Sequence, residues 1–217
     1  MKRWDKATLS EIETIAGPGS LQWAPVRRHF NIEAFGINAY VAAEAGQDIV
    51  ERHTEEVRQH EEAYIVVSGR ATFTLGDDVT DAPAGTIVFI RDSAIERSAV
   101  ATEPGTTVVA VGGRPGVAYT PGPWEPIYVA KALGDEGDYE AAIAELQRGL
   151  EIHPDHPAIL YRLAGWEALA GQRDAALVHL ERAVTQRDSL REHAAVDEAF
   201  DSIRNDSRFP TAPQEPG

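Results

Sequence analysis

The sequence predicts an α+β protein of two domains, an antiparallel β-sandwich or barrel followed by an all-helical unit. Three observations carry that reading. Near residue 125 the apolar pattern changes from period two to a helical period. Before that point, short apolar runs are cut by Gly, Pro and Asp at roughly ten-residue spacing. After it, the chain resembles itself at a shift of 34 residues.

In the first half, Phe35 to Val41 reads as a strand, and Ala63 to Val67 as another, closed by Ser68-Gly69. Arg70 to Leu75 alternates polar and apolar residues before the turn Gly76-Asp77-Asp78. Ala82 to Gly85 reads as a turn, Thr86 to Ile90 as an apolar strand, and Thr106 to Val111 as the last strand before Gly112-Gly113. Such strands and turn signals indicate an antiparallel sandwich or barrel.

In the second half, Ala130, Gly137, Ala142, Leu146 and Leu150 align with Ala164, Gly171, Ala176, Leu180 and Val184. Small residues recur where helices approach closely, and aliphatic ones on the packed stripe. Pro157 suits the first turn of a helix. A helix–turn–helix unit of this period is the tetratricopeptide pattern. Val196 to Ile203 reads as a further amphipathic helix that caps the array. The expected domains are an extension over 1–20, a barrel over 21–122, helices over 123–205 and a flexible tail over 206–217.

Composition excludes several functions. The 217 residues contain 20 Lys and Arg against 35 Asp and Glu, a formal net charge of −15. The two halves carry −7 and −8, so neither is a charged tail. An acidic surface is repelled by nucleic-acid phosphates and anionic lipid, so neither nucleic acid nor membrane is an expected partner. There is no cysteine, which removes disulfides, thiol catalysis and Cys-ligated metals. No apolar run approaches the roughly 20 residues of a membrane span. The N-terminus turns polar and acidic too soon for a signal peptide, and a cytoplasmic location is expected.

Glu62-x6-Gly69 followed by Pro83-x-Gly85 resembles the two motifs of the cupin superfamily, G-x5-H-x-H-x3,4-E-x6-G and G-x5-P-x-G-x2-H-x3-N. The match spans roughly residues 20–122. With the helices behind it, the chain resembles a bacterial group that places one cupin barrel before tetratricopeptide repeats. The resemblance implies a jelly roll with a pocket at its mouth, and metal held by two His and one Glu of the first motif and one His of the second. Here the first motif departs from that pattern. Six residues separate Gly46 from His53-Thr54-Glu55, so Glu55 stands where the second His belongs. His60 lies two residues before Glu62. In the second motif the expected His falls near Glu96 or Arg97, and no His occurs between 61 and 152.

His53, Glu55, His60 and Glu62 thus form an N2O2 donor set within ten residues, suited to a divalent transition metal: Fe, Mn, Ni or Zn. Strand alternation predicts that His60, Glu62 and Tyr64 share one face. His53, His60 and Glu62 are the expected ligands, and Glu55 a fourth ligand or general base. Tyr64, Tyr40, Glu96 and Arg97 are the candidate pocket residues. Two plainer readings stand beside this one: a solvated acidic loop from Glu51 to Glu62, and a metal-free polar pocket in which His60 bonds Glu62.

The function expected from the sequence is a small-molecule-binding protein with metal in its barrel. Its helices would serve assembly or a protein partner, and a homodimer is expected. One alternative is a metal-dependent oxygenase, isomerase or lyase acting on a small polar metabolite. The other is a non-enzymatic scaffold with a vestigial pocket. Trp124, Tyr128 and Trp166 have no evident place in the repeat pattern and are expected at a domain or subunit contact.

Overall fold

The computed structural model describes residues 6–17 and 21–210. It divides into two compact units, Met1–Pro121 and Gly122–Gly217. The expected flexible tail falls largely on 211–217, outside the described residues. Residues 206–210 are not tail-like, because Phe209 is buried in the helical core.

The first unit holds ten strands: β1 (Ile15–Ala16), β2 (Gln22–Ala24), β3 (Gly36–Val41), β4 (Asp48–His53), β5 (Glu61–Ser68), β6 (Arg70–Leu75), β7 (Asp78–Pro83), β8 (Ile87–Ile90), β9 (Arg97–Ala101) and β10 (Thr107–Gly113). One antiparallel sheet runs β1-β2-β3-β10-β5-β8 and the other β4-β9-β6-β7. They form a jelly-roll sandwich rather than a closed barrel.

Alternation builds its core. Tyr64 and Val66 face inward from β5, Ala71 and Phe73 from β6, and Ala99 and Ala101 from β9. With Ile49, Val88, Ile90 and Val108 they form one buried cluster contributed by both sheets. Arg97 occupies the same inward row of β9 as Ala99 and Ala101, and is itself fully buried. A smaller cluster of Ile12, Ala24, Val26 and Ala39 covers the outer face near β3, helped by the short helix α1 (Val26–Phe30). Residues 6–17 are therefore part of the fold: β1 pairs with β2, and Ile12 is buried.

The second unit packs α2 (Trp124–Asp135), α3 (Tyr139–Ile152), α4 (Pro157–Leu169), α5 (Arg173–Gln186) and α6 (Leu190–Val196). Asp138 caps α3 by accepting from the Ala141 amide, and Pro157 opens α4. The two repeats superimpose in mechanism. Gly137 and Gly171 leave their helices at φ of 87° and 75°, a conformation costly for any side chain. Ala130, Ala142, Leu146, Ala164, Ala176, Leu180 and Val184 are all buried. Buried Glu167 is matched across α4 and α5 by His179 Nδ1 at 2.7 Å.

Two expectations change. The terminal helix lies at 190–196, and the stretch beyond it turns as a short 3-10 segment, Glu198–Phe200, because Asp197 captures the Ala199 amide. Phe200, Ile203 and Phe209 still cap the array, burying its last apolar face. Trp166 belongs inside the repeats rather than at an outer contact. A Cβ on Gly134 would come within 2.4 Å of its ring, and the indole stacks on Tyr139 at 5.7 Å. Glycine on α2 opens the groove that the indole fills. Trp124 and Tyr128 meet edge-on at 6.1 Å on the first turn of α2.

This packing makes Gly134→Ala destabilising, although alanine is favoured over glycine in a helix by about 1 kcal/mol. Trp166→Ala should lower stability by roughly 2–4 kcal/mol. In the double variant the two losses should not add, because the alanine methyl then enters space the indole has left. Denaturant unfolding of the full chain measures all three; additive losses would show that the two residues do not share one contact.

Candidate metal centre

The inward charged residues gather at one end of the sandwich. His53 ends β4 and pairs directly with Arg97, the first residue of β9. Glu62 projects from β5 in the other sheet, in the inward row of Tyr64. The chain between β4 and β5 turns back and brings Glu55 and His60 with it; the Glu55 amide is held by the Ser93 carbonyl at 2.9 Å.

Glu62 needs room to point inward. Its neighbour across the ladder is Gly112 of β10, where a Cβ would meet Glu62 Cγ at 3.0 Å. On the adjoining strand, Gly36 leaves the space taken by the Tyr119 ring, which lies 5.9 Å from the His60 ring and beneath Arg27. Tyr119 and Gly112 went unseen in the sequence. Tyr119 sits in an aperiodic Gly- and Pro-rich stretch, and Gly112 resembled only a turn leaving the last strand.

Donor atoms of His53, Glu55 and Glu62 all lie within 4.8 Å of one another. His53 Nε2 is 3.9 Å from Glu55 Oε1 and 3.8 Å from Glu62 Oε2. His53 Nδ1 lies 2.6 Å from the Glu51 carbonyl. A carbonyl only accepts, so Nδ1 carries the proton, and in the neutral ring Nε2 keeps a bare lone pair. That lone pair faces two carboxylates. Glu62 Oε2 accepts from the Tyr64 hydroxyl at 2.6 Å and has Arg97 Nε at 3.6 Å.

His60 stands apart from this trio. Its Nδ1 is 3.3 Å from Glu55 Oε2 without hydrogen-bond alignment, and Glu55 Oε2 remains buried without a hydrogen-bond partner. The expected common face for 60, 62 and 64 holds for Glu62 and Tyr64 only. Gln59 adopts a φ of 57° and β5 begins at Glu61, so alternation does not extend back to His60. Glu55 takes the place expected of His60 in the closest group.

Of the pocket candidates, Tyr64 and Arg97 border the cluster. Tyr40 packs against the sandwich core. Glu96 is corrected: it faces outward, exposed, in an ion pair with Arg52 at 2.8 Å. Adjacent residues about a strand's start point to opposite faces, so an inward Arg97 requires an outward Glu96.

Charges shift in concert. Glu62 raises the His53 imidazole above its ordinary value, against the opposing effect of burial. Burial pushes Glu62 up, but His53, Tyr64 and Arg97 together hold it below the usual carboxylate value. Burial, then Glu62, drives the Tyr64 phenol well above its ordinary range.

Strand order and inward core make the first unit a jelly roll, and a tetratricopeptide-repeat family model matches residues 135–196. The chain joins a jelly-roll unit to helices that match the tetratricopeptide repeat. Solved structures similar to it include KdgF from Halomonas sp., 17% identical over 48% of this chain and 86% of that one, TM-score 0.38. A protein with a double-stranded β-helix domain from Klebsiella pneumoniae is 18% identical over 56% and 100%, TM-score 0.42. A sugar phosphate isomerase of the cupin superfamily from Silicibacter pomeroyi is 18% identical over 51% and 76%, TM-score 0.43. No curated protein sequence matches the chain. None of the described helices is long and apolar enough to cross a membrane.

The electrostatics of this centre give a pH signature for chelator-treated protein. A raised His53 stabilises the fold fully below its unfolded value, and this is lost as pH rises through the folded value. A lowered Glu62 stabilises the fold above its unfolded value, and this is lost as pH falls. Their joint contribution is therefore greatest at weakly acidic pH. Glu62→Gln should bring the His53 titration down toward 6.5, followed by imidazole NMR. An unmoved His53 titration would refute the coupling.

Proposed function

We propose that the cupin unit binds a small molecule around one divalent transition-metal ion, Fe, Mn, Ni or Zn, held by His53, Glu55 and Glu62 with His60 close by. The single observation that carries this reading is His53 Nε2 set 3.9 and 3.8 Å from the carboxylate oxygens of Glu55 and Glu62, with Nδ1 turned to the Glu51 carbonyl. Without a cation or a proton between them, three electron-rich groups confront one another in a partly buried site. Twice the usual metal–donor distance, roughly 4.0–4.4 Å, spans both His53–carboxylate gaps. The orphaned Glu55 Oε2 supplies a second fit, an acceptor with no donor. Imidazole and carboxylate suit these borderline-to-hard ions. When bound, such an ion acts as a Lewis acid toward a ligand oxygen. The chain's own part is to fix the His53 tautomer through Glu51, to orient Glu62 through Tyr64, and to wall the site with Tyr119.

Elemental analysis of untagged protein should find close to one transition-metal ion per chain. His53→Ala and Glu62→Ala should each lose it, while the folded sandwich persists by circular dichroism. Adding the metal to stripped protein at 100 times its Kd should stabilise it by about 2.7 kcal/mol. Full-length protein free of transition metal, with no thermal shift on adding Mn(II), Zn(II), Ni(II) or Fe(II), would overturn the reading.

The proposal includes a homodimer through the barrel. β8 is a free sheet edge, and its outward residues Ile87 and Phe89 are 64% and 51% exposed. Val67 extends the same apolar surface on β5. Unpaired edges with large apolar side chains favour association. Light scattering coupled to size exclusion should give a dimer mass for the wild type and a monomer mass for Phe89→Glu; a monomeric wild type would dismiss it. Assembly or a protein partner is the proposed role of the tetratricopeptide helices.

A further inference from the structure

Arg97 is the one group at the centre whose needs the metal reading leaves unmet. It is fully buried. Nη1 donates to the Ser93 carbonyl at 3.3 Å. Nε and Nη2 are buried without a hydrogen-bond partner. The nearest charged atom to Nε is Glu62 Oε2 at 3.6 Å, beyond a good hydrogen bond, and that oxygen already accepts from Tyr64.

The two unmade donors are not a random pair. The Nε–H and Nη2–H bonds project in parallel from one edge of the planar guanidinium, the edge that matches both oxygens of a carboxylate. Charge leads to the same ligand. Glu55 and Glu62 together offset a divalent ion, and the guanidinium is then left as an unbalanced buried cation. A buried charge is tolerated when it is paired and hydrogen-bonded. One negative charge on a planar two-oxygen group satisfies both demands, whereas a phosphate dianion overshoots the charge and lacks the planar fit.

Resting on the metal-centre reading, we propose that the ligand of this barrel is a small organic monocarboxylate, seated with both oxygens on the Nε–Nη2 edge of Arg97 beside Glu62. The seat is the place that Glu62 Oε2 now fills. Glu62 itself borders solvent, with 14% of its side chain exposed. The His60 and Tyr119 rings lie side by side, 5.9 Å apart, on the loop side of this space. Arg97 is then a ligand-binding residue near the position where the cupin resemblance places the second-motif His.

The test uses the full chain loaded with Mn(II). Calorimetric titrations compare lactate, lactamide and glycerol 1-phosphate, with metal content checked in each sample. Lactate should bind the loaded wild type, with lactamide and the phosphate at least about tenfold weaker. Arg97→Gln should retain Mn(II) and weaken lactate roughly ten- to hundredfold, the range for a lost charge-assisted pair. Arg97→Lys keeps the charge but not the fork, and should also weaken lactate about tenfold. It carries the comparison if the glutamine variant does not fold. Lactate binding unchanged in Arg97→Lys, a preference for the phosphate, or a Mn-loaded wild type blind to lactate would each overturn the proposal. Failure of the metal reading is separately visible: the electron paramagnetic resonance signal of free Mn(II) would not diminish as protein is added.

Discussion

His53 donates its Nδ1 proton to the Glu51 carbonyl, and the rest of the charged centre depends on the lone pair this leaves on Nε2. The contact is local, two residues back along β4, so the strand itself fixes the tautomer. Two carboxylates from different parts of the chain are then brought before that lone pair, one from the loop and one from the opposite sheet. Such convergence has a cost in desolvation and repulsion, and the sandwich bears it only with further support. Tyr64 grips Glu62 from below, Arg97 lends it a buried positive charge, and Gly112 clears its path. Each supporting residue lies on a strand rather than a loop, which keeps the donors near one geometry.

The helical unit obeys a different constraint. Two repeats bury a thin core, and at its tightest points a small residue admits a large one. Gly134 admits Trp166, and Gly149 lies against Pro126, where a Cβ would come within 2.9 Å. Phe200, Ile203 and Phe209 then close the far face with aromatic and aliphatic bulk that the repeat pattern does not supply. The residues that cap the array therefore follow no period.

This difference explains what was legible in the sequence. The repeats were readable because Ala130, Ala142 and Leu146 meet the same helical environment as Ala164, Ala176 and Leu180. The strands Gly36–Val41, Arg70–Leu75 and Ile87–Ile90 stood out by alternation or apolar runs. β4, β7 and β9 did not, because their sequences DIVERH, DVTDAP and RSAVA mix charges and small residues that only the facing sheet makes sense of. At the centre, residue type located His53, Glu55 and Glu62, since few short segments hold so many donors. His60 left the strand alternation at the positive φ of Gln59, which nothing in the local composition announced. Arg97 and Glu96 could not be sorted without knowing where β9 begins, for a shift of one residue exchanges inside and outside. Trp166 was misplaced because its partner is an absence, the missing side chain of Gly134.

The two departures from the cupin ligand pattern are best understood together. Glu55 stands where the resemblance expects a His, which adds a negative charge at the first motif. Arg97 lies near where the resemblance expects the second-motif His, with Glu96 beside it, and adds a positive charge at the other. The first change alone would leave a divalent ion and two carboxylates electrically balanced, with nothing to draw an anion inward. The second restores one positive charge, the same balance as three neutral imidazoles and one carboxylate around that ion. What differs is where the charge resides. In the usual arrangement it belongs to the ion; here it sits on a guanidinium in the sandwich floor, with a fixed edge and direction. A spherical charge attracts an anion from any side, but a guanidinium edge selects its shape and orientation. With the proposed ion bound, the replacements would maintain the total charge of the centre while moving part of its recognition from metal coordination to a planar, directional donor pair.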